Sequence, residues 1–149
     1  AETMAVTVVP NRNAILLSIA FGLAASRASD RVAAAVHAGD HAVYPDCRPE
    51  FVEAFQAMED RALEGIGEVA LDTPFVRWSK TDIAAEAGRL GVPIGETWSC
   101  YLGEDVHCGR CGTCVERREA LHRAGVADPT PYADPDYWLR ATAEARDRT

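Results

Sequence analysis

VAAAVHAGD, residues 32–40, decides the fold class. A short, continuous apolar run that stops at glycine and aspartate reads as a strand of a parallel sheet covered on both faces, not as the alternating pattern of a half-solvated one. Downstream, Pro49 suits a helix start because its missing amide hydrogen costs little there. Phe51, Val52, Phe55, Met58 and Ala62 then recur at helical spacing as a buried stripe, and Gly65 and Gly67 end the helix. Residues 68–71 predict a second strand, halted at Pro74. Ser79 and Asp82 have the spacing of a capping box, opening a helix that carries Ile83, Ala84, Ala87 and Leu90 and stops at Gly91 and Pro93. Upstream, Asn13 is the expected cap of a helix over residues 14–25. Its Ile15, Leu16, Leu17, Ile19, Phe21 and Leu23 point in nearly every direction, which predicts burial on most sides. The β-branched run at residues 6–9 predicts a short strand or extended arm before Pro10. Strand and helix signals alternate, so the expected class is α/β with a parallel sheet.

The 149 residues, 48% of them apolar, suffice for one ordinary core. A formal net charge of −8 disfavours direct nucleic-acid binding, which is dominated by phosphate contacts. Lys80 is the sole lysine. The longest apolar run, residues 14–25, is shorter than the about 20 residues of a membrane span, and no basic start followed by an apolar stretch and cleavage site is visible, so a soluble, non-membrane protein is expected. Four of the five cysteines lie close together around Cys108, which favours a reducing cytoplasm and a metal site over a disulfide scaffold.

Those four, Cys100, Cys108, Cys111 and Cys114, stand in WSCYLGEDVHCGRCGTC. Four thiolates complete a tetrahedral zinc ion, and the two-residue gaps let the chain fold back on the metal. Such a site has no open position, so zinc is expected to be structural, one ion per chain. A redox pair or buried reduced thiols are the alternatives. The anionic cluster gives Arg110, Arg117 and Arg118 an electrostatic reason to be close, and Arg117, Arg118 and Arg123 are expected to be exposed on the helix that follows. Residues 128–135 are rich in proline and predict a linker or surface strap, after which Tyr137 and Trp138 predict a short helix docked by its aromatics.

YPDCRPEF, residues 44–51, follows the first predicted strand, where ligands bind in parallel α/β sheets. Asp46 can accept from the N–H groups of a guanine-like base, and Arg48 offers a fork for carboxylate or phosphate; plain helix capping by Asp46 is the competing reading. Cys47 has no visible activating partner and is expected to be a buried thiol. Arg12 in VPNRN and Lys80 in WSKTDI stand beside predicted helix starts, where amide groups favour anions. His37, His41, His107 and His122 show no ligand or triad spacing, although His107 is placed to reach the surroundings of the metal.

VPNRN, YPDCRPEF, PF-x-x-WSKTDI, TWSC and CGRCGTC, in this order over about residues 8–118, resemble the 7-cyano-7-deazaguanine synthase family. The resemblance implies a Rossmann-like parallel sheet of the ATP-pyrophosphatase, adenine nucleotide hydrolase-like type, incomplete at its N-terminus, with a C-terminal zinc knot of four cysteines. It implies an α/β nucleotide- and substrate-binding part over residues 1–95, a zinc lobe over 96–125 and a proline-rich tail with a short helix over 126–149. It also implies a homodimer and an ATP-dependent carbon–nitrogen ligase. ATP, used with Mg2+, activates the carboxylate of 7-carboxy-7-deazaguanine, ammonia forms the amide, and a second activation dehydrates it to the nitrile. By motif position Tyr44, Asp46, Arg48, Arg12 and Asn13 fall to substrate binding, and Lys80 and Arg48 to catalysis. The family's SGGxDS phosphate loop does not occur in these 149 residues, so this chain alone is expected to be inactive. A relative that uses the deazaguanine on another acceptor, such as a protein, and a non-catalytic zinc ribbon that binds a partner are the alternatives.

Overall fold

The computed structural model describes residues 8–102 and 105–146, with helix side chains up to residue 144. The expected extended arm at residues 6–9 lies largely outside them. The chain divides between Ser79 and Lys80 into two compact units.

The first unit is built from helix α1 (Arg12–Ser26), strand β1 (Arg31–Ala33), helix α2 (Pro49–Ala62) and strand β2 (Ala70–Asp72). β1 and β2 pair in parallel, with Arg31 opposite Ala70, Val32 opposite Leu71 and Ala33 opposite Asp72. This is the α/β arrangement expected of a strand–helix–strand crossover. Leu17, Phe21 and Ala24 of α1 meet Val32, Phe55 and Val69 in the core. Phe21 and Phe55 contact edge-to-face with ring centroids 5.7 Å apart. Each fully buried ring of this kind contributes about 2 kcal/mol through apolar burial. The outer side of β2 is closed by a side chain: Gln56 Oε1 accepts from the Leu71 amide at 2.5 Å, while Gln56 Nε2 donates to the Val69 carbonyl at 3.0 Å. An edge amide that would otherwise be open is thereby paired.

Four sequence expectations are corrected here. The strands are shorter than the apolar runs, and in β1 only Val32 is buried, with Arg31 and Ala33 exposed. Helix α1 is capped at Asn11, in the left-handed region at φ 61°, so Asn13 lies inside the first turn. That helix is not buried on most sides either: Ile15, Leu16, Ile19 and Leu23 are exposed. In α2, Met58 is exposed and Glu59 takes the buried position one turn after Phe55.

The second unit begins with helix α3 (Lys80–Arg89), which starts directly after Ser79, and continues through α4 (Gly112–Arg123) to α5 (Tyr137–Arg146). Ala84 of α3 packs with Ala120 and Leu121 of α4. Gly91, at φ 67°, turns the chain out of α3, and the Val92 amide donates back to the Ala87 carbonyl at 2.9 Å. Glycine adopts this left-handed conformation at no steric cost. Trp138 of α5 is buried, its ring 5.1 Å from that of His122, so the terminal helix docks by its aromatic side chain as its composition suggests.

Candidate functional site

Cys100, Cys108, Cys111 and Cys114 are unpaired by disulfides, and their sulfurs all lie within 4.8 Å of one another. Among the described residues this is the group of side chains able to hold a metal ion. A tetrahedral ion bonded to sulfur at about 2.3 Å requires sulfurs about 3.8 Å apart. Cys108 and Cys114 Sγ stand 4.0 Å apart, so the group fits such an ion with little movement.

Local backbone chemistry explains the convergence. The Cys108 amide points at Cys100 Sγ at 3.4 Å, and the Arg110 and Cys111 amides point at Cys108 Sγ at 3.3 and 3.2 Å. Donors aimed at sulfur stabilise thiolate. Gly109 makes the turn at φ 76°, and a Cβ there would lie 2.1 Å from the Asp134 carbonyl oxygen, so neither its conformation nor its surroundings admit a side chain. Burial opposes ionisation of Cys111, but the Thr113 hydroxyl and the Tyr101 and Cys114 amides outweigh it and bring the thiol down to about 6. Cys114, fully buried at the start of α4, is instead pushed up by burial and by Cys111. Cys100 is lowered as well, while Cys108, like Cys114, is raised; such a split is the state of a cluster in which like charges repel, and a cation would remove that conflict.

The surroundings fix the cluster to the rest of the unit. Thr113 Oγ1 lies within hydrogen-bond distance of both the Ser99 carbonyl, at 2.7 Å, and Cys111 Sγ, at 3.2 Å, tying the start of α4 to the segment that carries Cys100. His107 is buried between Trp98 and Tyr132, with ring centroids at 4.2 and 5.3 Å, and its carbonyl accepts from the Ala133 amide at 2.8 Å. The guanidinium groups of the three arginines that an anionic cluster would attract are each engaged by other groups. Arg117 is part-buried: it donates to the Ile94 carbonyl at 2.7 Å and to Thr130 Oγ1 at 2.9 Å, and pairs with Asp128 at 3.4 Å. Arg118 lies over the Tyr132 ring at 4.6 Å and donates to the Pro135 carbonyl at 2.6 Å. Arg110 pairs with Asp134 at 2.9 Å. All three fasten the segment that follows α4.

In the first unit the structure brings together Asn13, Asp46 and Cys47. The Asn13 amide donates to Asp46 Oδ2 at 2.9 Å, and Asn13 Nδ2 donates to the Asp46 carbonyl at 3.1 Å and to Cys47 Sγ at 3.3 Å. Cys47 is buried, and burial with Asp40 and Asp46 nearby raises its thiol, as for an inert group. Arg48 is exposed and its Nε donates to the His41 carbonyl at 2.8 Å. Arg12 is exposed too, touching Asn13 Oδ1 at 3.3 Å, and Tyr44 is held by its amide donating to the Asp40 carbonyl at 2.9 Å. His37, which shows no ligand or triad spacing in the sequence and reads as structural or exposed, accepts from the Gly39 amide through Nδ1 at 3.1 Å and faces Asp40 through Nε2 at 3.3 Å, bracing this loop. No motif spacing marks it. Lys80, in the second unit, pairs with Glu116 of α4.

A family model described as "Queuosine biosynthesis protein QueC" matches residues 1–125. The chain belongs to the QueC family. Among QueC-family relatives named 7-cyano-7-deazaguanine synthase, the protein of Rhizobium meliloti strain 1021 is 66% identical over 141 residues, covering 95% of this chain and 60% of the relative. That of Sinorhizobium fredii is 64% identical over 142 residues with the same coverage, and that of Ruegeria pomeroyi 63% over 145 residues, covering 97% and 63%. The chain therefore spans about 60% of the length of these synthases. The four-cysteine group and the Asn13–Asp46 latch both lie within the residues that match QueC.

Proposed function

We propose that this chain is the metal-bearing part of an enzyme that makes 7-cyano-7-deazaguanine from 7-carboxy-7-deazaguanine and ammonia with ATP and Mg2+. The observation that carries the reading is the 66% identity to a synthase over 95% of the chain. The parallel β1–β2 pair and the four converging sulfurs are consistent with it.

The bound ion is zinc on this reading, because four soft sulfur donors at tetrahedral spacing suit it. With every position filled by cysteine it supplies no reactive ligand; it holds the Cys100–Cys114 turn in place. Asp46 and Tyr44 are assigned to the flat heterocycle, and Arg48, Arg12 and Asn13 to the substrate's anionic side. A carboxylate becomes reactive only when one oxygen is made a leaving group, so cations must hold the phosphate released. Arg48 and Lys80 are assigned that role. Two features temper the electrostatics: Asp46 already accepts from Asn13, and Lys80 is paired with Glu116, so binding must compete with or extend these contacts.

None of the described helices is long and apolar enough to cross a membrane. A cytoplasmic homodimer that does not touch nucleic acid completes the proposal, and the exposed Ile15, Leu16, Ile19 and Leu23 of α1 offer an apolar face that further protein would cover.

A chimera tests the reading whatever surrounds the chain in the cell. Residues 1–149 replace the matched stretch of the Rhizobium meliloti synthase, and mass spectrometry follows nitrile formation from 7-carboxy-7-deazaguanine, ammonia and ATP. Turnover is expected. A folded, metal-loaded chimera that consumes no ATP and makes no nitrile contradicts the proposal.

A further inference from the structure

A cavity of about 920 Å³ opens at the amino ends of β1 and β2, opposite the strand ends that lead into the loop of Asp46 and Arg48. Asp30, Glu59, Asp60, Glu64 and Glu68 line it, and among the described residues no lysine or arginine does. Asp60 accepts from Gln56 Nε2 at 2.6 Å, and Glu64 is paired with Arg61 only at 4.0 Å, with both side chains largely in solvent. That pair neutralises little. The cavity also adjoins the C-terminal turn of α2, whose last carbonyls add negative potential.

Glu59 sets this cavity apart from an ordinary acidic surface. It is only 7% exposed, follows Phe51 and Phe55 at four-residue steps on the buried side of α2, and lines the cavity, yet among the described residues no hydrogen bond or ion pair satisfies its carboxylate. Burial pushes its carboxyl up. Its oxygens are not sealed from the cavity, so a cation that enters meets the carboxylate directly, and partial burial disfavours the charge until one does.

Size and spacing select the class of cation. A bare metal ion needs several oxygens converging at about 2.0–2.6 Å, and the cavity's acids form no converging group among the described residues. The space is also far larger than an ion, and Leu63, Ile66 and Val69 share its lining with the carboxylates. A flexible chain of methylenes bearing ammonium groups matches both features, its apolar segments against these side chains and its charges on separated acids. We propose that this cavity binds a linear aliphatic polyamine, with Glu59 as the inner anchor and Asp30 and Glu68 as outer contacts. The site is independent of the reaction proposed above.

Titration calorimetry of spermidine into the full chain tests it. At about 150 mM salt, which screens diffuse surface attraction, saturable one-to-one binding is expected. Glu59→Gln is expected to weaken it by at least about tenfold, the loss of one charged partner, while melting no lower than the parent. The outer variant Asp30→Asn with Glu68→Gln leaves the core untouched and is expected to weaken binding by about threefold. Equal affinity in the parent and Glu59→Gln, binding that vanishes at this salt concentration, or a tighter response to Mg2+ alone overturns the proposal.

Discussion

Asp46 Oδ2 accepts from the Asn13 amide at 2.9 Å, so a carboxylate 33 residues away in sequence closes the first turn of α1. Asn11, the residue at the cap, makes no side-chain bond of its own there. Asp46 therefore does for α1 what a capping residue ordinarily does from within the same segment, and in doing so it fixes the loop that carries Arg48.

Asp46→Ala is accordingly expected to lower stability by about 1 kcal/mol, the usual worth of a helix cap. Urea denaturation followed by circular dichroism measures it. Asp46→Asn keeps an accepting oxygen and is expected to lose less than half as much, and equal losses in the two variants would show that the hydrogen bond is not what matters.

Arg117 and Asp128 form a largely buried pair, with side chains 11% and 9% exposed. Removing one partner leaves the other charge uncompensated, so Arg117→Met is expected to cost roughly 3 kcal/mol. Burial opposes ionisation of Asp128, but the Tyr132 and Thr130 donors and Arg117 outweigh it and hold the carboxyl below its usual value. A lowered folded-state pKa means that this contribution is complete above the ordinary aspartate range and is lost as pH falls through the folded value. Acid denaturation of Asp128→Asn is expected to lack that part of the slope; superimposable acid profiles for the two proteins would remove the pair from the account.

Glu59 titrates with the opposite sign. Its folded-state carboxyl is raised, so the unliganded fold is penalised above that value and the penalty disappears as pH falls below the ordinary glutamate range. Glu59→Gln is expected to melt higher than the parent at neutral pH and to converge with it at acidic pH. A variant that melts lower at neutral pH would mean that the carboxylate has a stabilising partner.

Gly109→Ala places a Cβ 2.1 Å from the Asp134 carbonyl oxygen and forces a side chain to φ 76°. Backbone must move at the turn between Cys108 and Cys111, and metal release to a chelator is expected to be at least about tenfold faster, equivalent to the loss of over 1 kcal/mol. An unchanged release rate would show that this turn does not hold the site.

The features legible in the sequence are the local ones. The four clustered cysteines were readable because three of them sit within seven residues, and the parallel pair because strand and helix signals alternate from Val32 to Leu71. What was not legible depends on partners far along the chain. Asn13 reads as a local cap but bonds to Asp46, and Arg117 reads as a solvated helix residue but is drawn inward by Ile94 and Thr130. Glu59 was hidden by its charge: a periodicity count selects apolar residues and so chose Met58, although Glu59 continues the four-residue step from Phe51 and Phe55. Exposure of Ile15, Leu16 and Ile19 shows the same limit from the other side, since an all-round apolar helix reports a demand for burial and not what meets it.

The direct measurement of the central claim, that four cysteines close around one zinc ion, is X-ray absorption at the zinc edge on the purified chain. One zinc per chain with four sulfur neighbours at about 2.3 Å and no nitrogen or oxygen ligand is predicted. A folded chain without zinc, or a zinc shell that includes nitrogen or oxygen, would contradict it.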